Sequence, residues 1–470
     1  MSRTNLFLLA FLLLSLAAQG CVSYPVHTAK RLADRPPCVT PTSDRGVIVS
    51  LAVSGGGSRA ALFASGAFEA LARLRVGPEQ RSLLEQVTYI SSVSGGSLAS
   101  AYYVLKKPTH EVPVLTQDGA MSEPYVQFFK EFKEAMARDY EGPLLRRQIF
   151  RLRWFNPAWT AFSLSEILDE HYVGSAKVSD LARRQALGDS PHLLVNTTLY
   201  NDGRRFVIST LDREALRYEF IEDLQRRSKP ARLSAEDEAN LKPRWEALQS
   251  QTAQDLKMNV CDVSVADAVA GSMSFPPVIG PITFGVEGDD RYWHAGDGGL
   301  ADNSGSESLV MVLLKKIQEG KARRALVISF DSSFHFSVGG EAMNSRHEGF
   351  SLFSYDFSRI PSIMEERSLA YRALFFRISQ REALLPDSRT LDVIVLRHTD
   401  AQWKEDLSDL PESCQQDHRD WKSPRDVARH LAGIVTRLFI ESTCDRDLVL
   451  LSAAKVTAQS ELKIRAFLER

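Results

Sequence analysis

Between Gly46 and Leu105 the same unit occurs twice, and that repetition constrains the fold more than anything else in the chain. "GVIVSLAV" at 46–53 is an uninterrupted apolar run of the kind found in strands buried on both faces, and "SGGGS" ends it. Ala61, Leu62, Ala64, Phe68, Leu71 and Leu74 then recur at helical spacing. "VTYISSV" at 87–93 and "GGSLASAYYVL" at 95–105 repeat the strand and the helix. Parallel strands need crossover helices, so two such units in succession predict an α/β fold with a mostly parallel central sheet covered by helices.

Further strands are expected in "HLLVNTTLY" and "RRFVIST", joined through a hairpin at Asn201, Asp202 and Gly203, and in "RALVISFD" and "LDVIVLRH". The stretches near 106–190 and 211–258 are helical and polar, which makes them insertions over the sheet, and 226–244 is expected as an exposed helical hairpin. One domain over 46–335 accounts for these elements up to "RALVISFD". The helix-rich region 336–470, with amphipathic segments at 360–376 and 424–439, either completes that domain or packs on it as an extension.

The first twenty residues have another character. Arg3 precedes an apolar run from Leu6 to Ala18, shorter than the roughly 20 residues a spanning helix needs, and fits the core of a secretory signal peptide. "LAAQGC" resembles a lipobox, which makes Cys21 the expected lipidated N-terminus; Val22, where Asp would mark inner-membrane retention, implies an outer-membrane lipoprotein of a diderm bacterium. Residues 21–45, with proline pairs and no apolar periodicity, are expected as a tether. The four remaining cysteines allow three pairings in an oxidising compartment, and Cys414 with Cys444 is favoured because both flank one helical segment. Lys and Arg total 57 against 59 Asp and Glu, so no basic surplus suggests nucleic acid.

"SGGGSR" at 54–59 follows a strand and opens a helix, so its backbone N–H groups face whatever lies above the sheet edge. The lysine and spacing of nucleotide loops are absent, whereas an oxyanion hole needs this geometry. For a nucleophile, G-x-S-x-A nominates Ser58 and Ser97, but both fall in first helical turns. Ser94 stands at the junction of strand and helix, where an elbow serine belongs, in the spelling S-x-S-x-G. A base is then required; "YWHAGDGGLADNSG" at 292–305 offers Asp297 between glycines, and His294, which a conventional triad would use.

Together "SGGGSRAALFASGAFEAL", "SVSGGS", "VNTTLYNDGRRFV", "VADAVAGSMSFPPV" and "AGDGGLADNSG" resemble, in order and spacing, the patatin-like phospholipases. The resemblance covers about 46–335 and implies a three-layer α/β fold, Ser94 as nucleophile, Asp297 as base of a Ser/Asp dyad, and an oxyanion hole drawn from Gly55, Gly56, Gly57 and Gly95, with Arg59 supporting the loop. Ser54 and Ser92 depart from the family spelling, the second at the first glycine of the elbow. The implied activity is that of a lipid-anchored serine acyl hydrolase, a phospholipase A or lysophospholipase-like esterase acting on phospholipid or another acyl ester without metal or cofactor. A catalytically silent envelope scaffold or lipid-binding protein is the alternative. Residues 144–162, where arginines alternate with Trp154, Phe155, Trp159 and Phe162, are expected either as a lid touching anionic lipid or as an insertion packed on the sheet.

Overall fold

The computed structural model describes residues 25–469 apart from 33–37, 41–45, 78–79, 152, 154–155, 219–233, 277, 334–389 and 418–419. In chain order, β1 (Val26–Ala29) and β2 (Val47–Val53) lead into α1 (Gly57–Ala72). A small hairpin of β3 (Arg75–Val76) and β4 (Arg81–Ser82) precedes β5 (Val87–Val93) and α2 (Gly95–Lys106). Next come α3 (Glu123–Met136), α4 (Glu141–Phe150), α5 (Pro157–Leu168) and α6 (Val178–Ala186), then the hairpin of β6 (His192–Leu199) and β7 (Arg205–Ser209). α7 (Ala235–Leu248), β8 (Gln251–Thr252), α8 (Val265–Ser272), β9 (Ile282–Val286), β10 (Tyr292–Asp297), α9 (Gly299–Asp302) and α10 (Ser306–Gln318) follow. β11 (Arg324–Asp331), β12 (Thr390–Arg397), α11 (Glu412–Asp417), α12 (Pro424–Gly433) and α13 (Thr443–Leu468) complete the described chain.

The main sheet runs β1-β9-β10-β6-β5-β2-β11-β12, with β7 on β6 and β8 on β7. From β6 to β12 the neighbours are parallel, and β7 and β10 run antiparallel to β6, so the sheet is mixed and mostly parallel. Period-two alternation divides each central strand between two apolar layers. β2 sends Val49, Leu51 and Val53 to the side of α1, α2 and α13, and Ile48 and Ala52 to the side of α10. β11 does the same with Leu326, Ile328 and Phe330 against Ala325 and Val327. Strands covered on both faces have no use for polar alternation, which is why they read as continuous apolar runs.

The described residues from 390 onward join the same sheet and helix layer. β12 extends the sheet beside β11, and α13 crosses α1 closely enough that a Cβ on Gly66 would stand 3.1 Å from the Ala453 methyl. The segment 360–376 lies outside the described residues, as does the lipobox. The tether expectation is corrected in part: β1 pairs in parallel with β9 from Val26 opposite Thr283 to Ala29 opposite Val286, and Cys38 is bonded to Cys261. A four-residue edge strand takes its register from its partner, so its own sequence carries little pattern. The second disulfide is the favoured Cys414–Cys444, closed across α12. No described helix is long and apolar enough to cross a membrane.

Candidate active site

β2 and β5 are parallel neighbours, with Val53 opposite Ser92, so both chains leave the sheet at the same edge. After β2 the chain turns through Ser54, Gly55 and Gly56 into α1; after β5 it turns within one residue, Ser94, into α2. Ser94 has φ 51° and ψ −125°, and it is the one buried residue among the described non-glycine positions with positive φ. Strain of this kind costs about 1–3 kcal/mol and persists where the surroundings over-determine it. Here Gly95 and Gly96 remove the obstacles: a Cβ on Gly95 would stand 1.9 Å from the Gly57 carbonyl oxygen, and one on Gly96 2.5 Å from that of Ser54.

The first turn presents backbone. Gly56 adopts φ 140°, open only to glycine, and the N–H groups of Gly56, Gly57 and Gly95 make no hydrogen bond to any described residue. They lie at the start of α1 and α2, where helix dipoles add positive potential. Gly55 differs from the expectation for it, because its N–H is donated to the Asn303 carbonyl at 2.9 Å. Its contribution is proximity, since a Cβ there would stand 3.3 Å from the Ser94 Cβ and 2.1 Å from Asn303 Oδ1.

Arg59 is fully buried beneath this turn. Its Nε and Nη2 donate to the Ser332 carbonyl at 3.2 and 3.0 Å, Nη1 donates to the Ile434 carbonyl, and Nη2 also reaches Thr436 Oγ1 at 3.3 Å. The Ser58 N–H donates to the Arg437 carbonyl at 2.8 Å, so residues 434–437 brace the glycine loop from the far end of the chain. No sequence signal marks that contact, because all its acceptors but the Thr436 hydroxyl are backbone carbonyls. Ser54 also has a structural place: its hydroxyl accepts the Ser332 N–H at 2.8 Å.

Asp297 arrives from another direction. β7 occupies one edge of β6 from Leu194 to Thr198, which leaves a single opposite edge for two strands. β5 takes its first half, ending with Val93 opposite Asn196; β10 takes the second half in the opposite sense, ending with Asp297 opposite Thr197. The two C-terminal ends therefore meet head-on at adjacent positions of β6, which brings Ser94 and the Asp297 loop together. Asp297 is buried, its Oδ1 accepts the Gly299 N–H at 2.7 Å, and its carbonyl accepts Thr198 Oγ1–H at 2.8 Å. Asn303 joins the two loops, since its Oδ1 would stand 2.7 Å from a Cβ on Gly299 as well as beside Gly55.

His294 lies three residues before Asp297 on β10, hence on the opposite face, where its Nδ1 pairs with Thr283 Oγ1 at 2.9 Å. Burial pushes its pKa down. Ser58 and Ser97 occupy the first turns of α1 and α2, as their position in the sequence implies. Ser92 is an ordinary strand residue, and its hydroxyl is bonded to Ser97 Oγ at 3.1 Å, so the missing glycine is absorbed without positive φ. Among the described residues no group of three or more His, Cys, Asp or Glu side chains is placed to share a metal ion.

Exposed apolar side chains occur in the segments next to this site. Phe275 and Leu300, in the loops next to Ser274 and Asp297, are exposed, and Val278 is 73% exposed. The loop carrying Val278 is pinned to α5 through Gly280 N–H to the Pro157 carbonyl, 2.8 Å. The neighbouring α4 buries Leu144 but exposes Leu145, Ile149 and, at 84%, Phe150. Arg147, Arg151 and Arg153, expected to favour anionic headgroups, converge on Glu166; Arg146 is exposed and makes no ion pair with a described residue. Trp154 and Phe155 lie outside the described residues.

A sequence profile of the patatin-like phospholipases matches residues 51–310. No curated protein matches the chain. Among solved structures, human GIVD cytosolic phospholipase A2 is 12% identical with a TM-score of 0.45, over 90% of this chain and 60% of that one. Its complex with methyl gamma-linolenyl fluorophosphonate is 15% identical with a TM-score of 0.41, over 91% and 59%. VipD from Legionella pneumophila is 12% identical with a TM-score of 0.27, over 84% and 67%. The chain thus spans about three fifths of the length of the human structures it matches. With the profile extending over more than half of its residues, the chain belongs to the patatin-like phospholipase family.

Proposed function

We propose that this protein is a serine acyl hydrolase of lipid esters that works through Ser94 and Asp297. The observation that carries the reading is the head-on meeting of β5 and β10 along one edge of β6, which brings the loop of the buried Asp297 to the strained turn at Ser94. Asp297 accepts the proton of Ser94 Oγ as that oxygen attacks the ester carbonyl, and the N–H groups of Gly56, Gly57 and Gly95 hold the oxyanion. The tetrahedral intermediate collapses to an acyl-enzyme, and the departing alcohol takes the proton from Asp297. Water then attacks the acyl carbonyl while Asp297 takes its proton, and as the bond to Ser94 breaks Asp297 returns that proton to Ser94 Oγ, which frees the fatty acid and restores both residues.

The two departures from the family spelling, Ser54 and Ser92, both have hydrogen-bonded places, which supports the hydrolase reading over that of a silent scaffold. The exposed Phe275 and Leu300, close in sequence to Ser272 and Asp297, suit a substrate presented at a lipid surface. Fatty-acid release from phospholipid vesicles tests the activity: the wild-type protein releases it and Ser94→Ala does not, and undiminished release by that variant would overturn the reading.

Anchoring through lipidated Cys21 in the outer membrane belongs to the same proposal; two disulfides suit an exported protein. Metabolic labelling with palmitate that persists in Cys21→Ser would contradict it.

A further inference from the structure

The end of α8 touches both halves of the site. Ser272, its last residue, is completely buried, and its hydroxyl accepts the Ser94 N–H at 2.8 Å and donates to the Asn196 carbonyl at 2.6 Å. Asn196 is the β6 residue opposite Val93, the last residue of β5. The hydroxyl is thus inserted where the next rung of the β5–β6 ladder would be, between a strand N–H and a strand carbonyl. The nucleophile can leave the sheet at φ 51° without stranding its buried N–H. Ser97 Oγ, 3.0 Å away, links this hydroxyl to Ser92.

The same turn reaches the other half of the site through backbone. The Ser272 carbonyl accepts the Gly298 N–H at 3.4 Å and the Ser274 carbonyl accepts the Asp297 N–H at 3.0 Å. Neither the nucleophile nor the carboxylate is set by its own strand alone; one turn of chain spaces them.

We propose that Ser272 is a positioning residue for the acyl-transfer reaction, its hydroxyl holding the Ser94 backbone in the strained elbow while its carbonyl holds the loop after Asp297. The proposal rests on the reading of Ser94 and Asp297 as the dyad. Loss of the hydroxyl leaves a buried N–H unpaired beside the reacting oxygen, and the elbow relaxes toward ordinary backbone geometry.

The test is the rate of fluorophosphonate modification of the full-length protein, with the modified residue identified by peptide mass spectrometry, alongside kcat and KM on a soluble ester. Ser272→Ala should lower kcat and the modification rate in parallel by about 10- to 100-fold, with KM within about threefold. Ser272→Cys fills the same volume but accepts hydrogen bonds weakly, so it should be slowed almost as much. Ser452→Ala removes a comparably buried hydroxyl, bonded to the Val449 carbonyl at 2.7 Å in α13, and should match the loss of thermal stability with an unchanged modification rate. A folded Ser272→Ala or Ser272→Cys protein modified at Ser94 at the wild-type rate would overturn the proposal alone. Wild-type protein modified at a residue other than Ser94 would overturn the dyad on which it rests.

Discussion

The turns after β2 and β5 are spelled almost alike, Gly-x-Ser-x-Ala at 56–60 and at 95–99, yet they carry opposite duties. The first must keep side chains away: Gly56 supplies φ 140°, Gly57 supplies φ 60°, and the N–H groups of both make no hydrogen bond to a described residue. The second must place one side chain at the corner, and Ser94 carries the positive φ that glycine carries in the first. The difference teaches that spelling is a poor guide to a nucleophile, because both motif serines lie one turn too late. What distinguishes the turns is how the strain is held: Arg59 and the Arg437 carbonyl brace the first from below, and Ser272 inserts into the sheet to brace the second.

The largest expected effect separates the two motif serines from the corner serine. Ser94→Ala should lower ester hydrolysis by at least about four orders of magnitude. Ser58→Ala, which removes a buried hydroxyl with no hydrogen-bond partner among the described residues, should leave it within about twofold. Initial rates on a soluble ester decide; comparable losses from both would erase the distinction.

Next comes the contact between the turns. Gly95→Ala places a methyl 1.9 Å from the Gly57 carbonyl oxygen, which must move by about 1 Å, and a displacement of that size costs about 100-fold in kcat. Retained activity in a folded Gly95→Ala protein would mean that the first turn does not serve the nucleophile.

A smaller effect falls on the brace. Arg59→Met leaves the Ser332 and Ile434 carbonyls without their donor and should destabilise the protein by about 3–5 kcal/mol in urea denaturation, with activity falling in the fraction that remains folded.

The smallest effect is pH-dependent. His192 stands opposite Tyr89 on β5, beneath the nucleophile turn, and burial, with a smaller contribution from Lys316, lowers its pKa to about 4. The native state thus binds fewer protons than the unfolded chain between pH 6.5 and about 4. Its stabilising contribution is complete above pH 6.5 and is lost as pH falls through that window, by about 3 kcal/mol in all. Melting curves of wild type and His192→Gln over this range check the sign: the wild-type slope should be the steeper.

Much of this architecture is legible in the sequence, for physical reasons. Parallel strands covered on both faces are largely apolar runs, so β2 and β11 announce themselves, and the abrupt change from strand to helix after β5 places Ser94 at a corner. The approach of the Asp297 loop to the turn at Ser94 is not legible, because it depends on two strands sharing one edge of β6 at a register that neither encodes alone. Ser272 sits in a quoted motif, but its role follows from a hydroxyl entering a ladder gap. The brace at 434–437 works mainly through carbonyls and leaves no mark at all. β1 is hidden for a related reason, since an edge strand of four residues borrows its order from β9.

The central claim is that the corner serine is the nucleophile and that Asp297 is its base. The most direct measurement is fluorophosphonate modification of wild type and Asp297→Asn, with the modified peptide identified by mass spectrometry. Modification confined to Ser94, slowed by about 100- to 10,000-fold in Asp297→Asn, is the predicted result. Modification at Ser58 or Ser97, or an undiminished rate at Ser94 in Asp297→Asn, would contradict it.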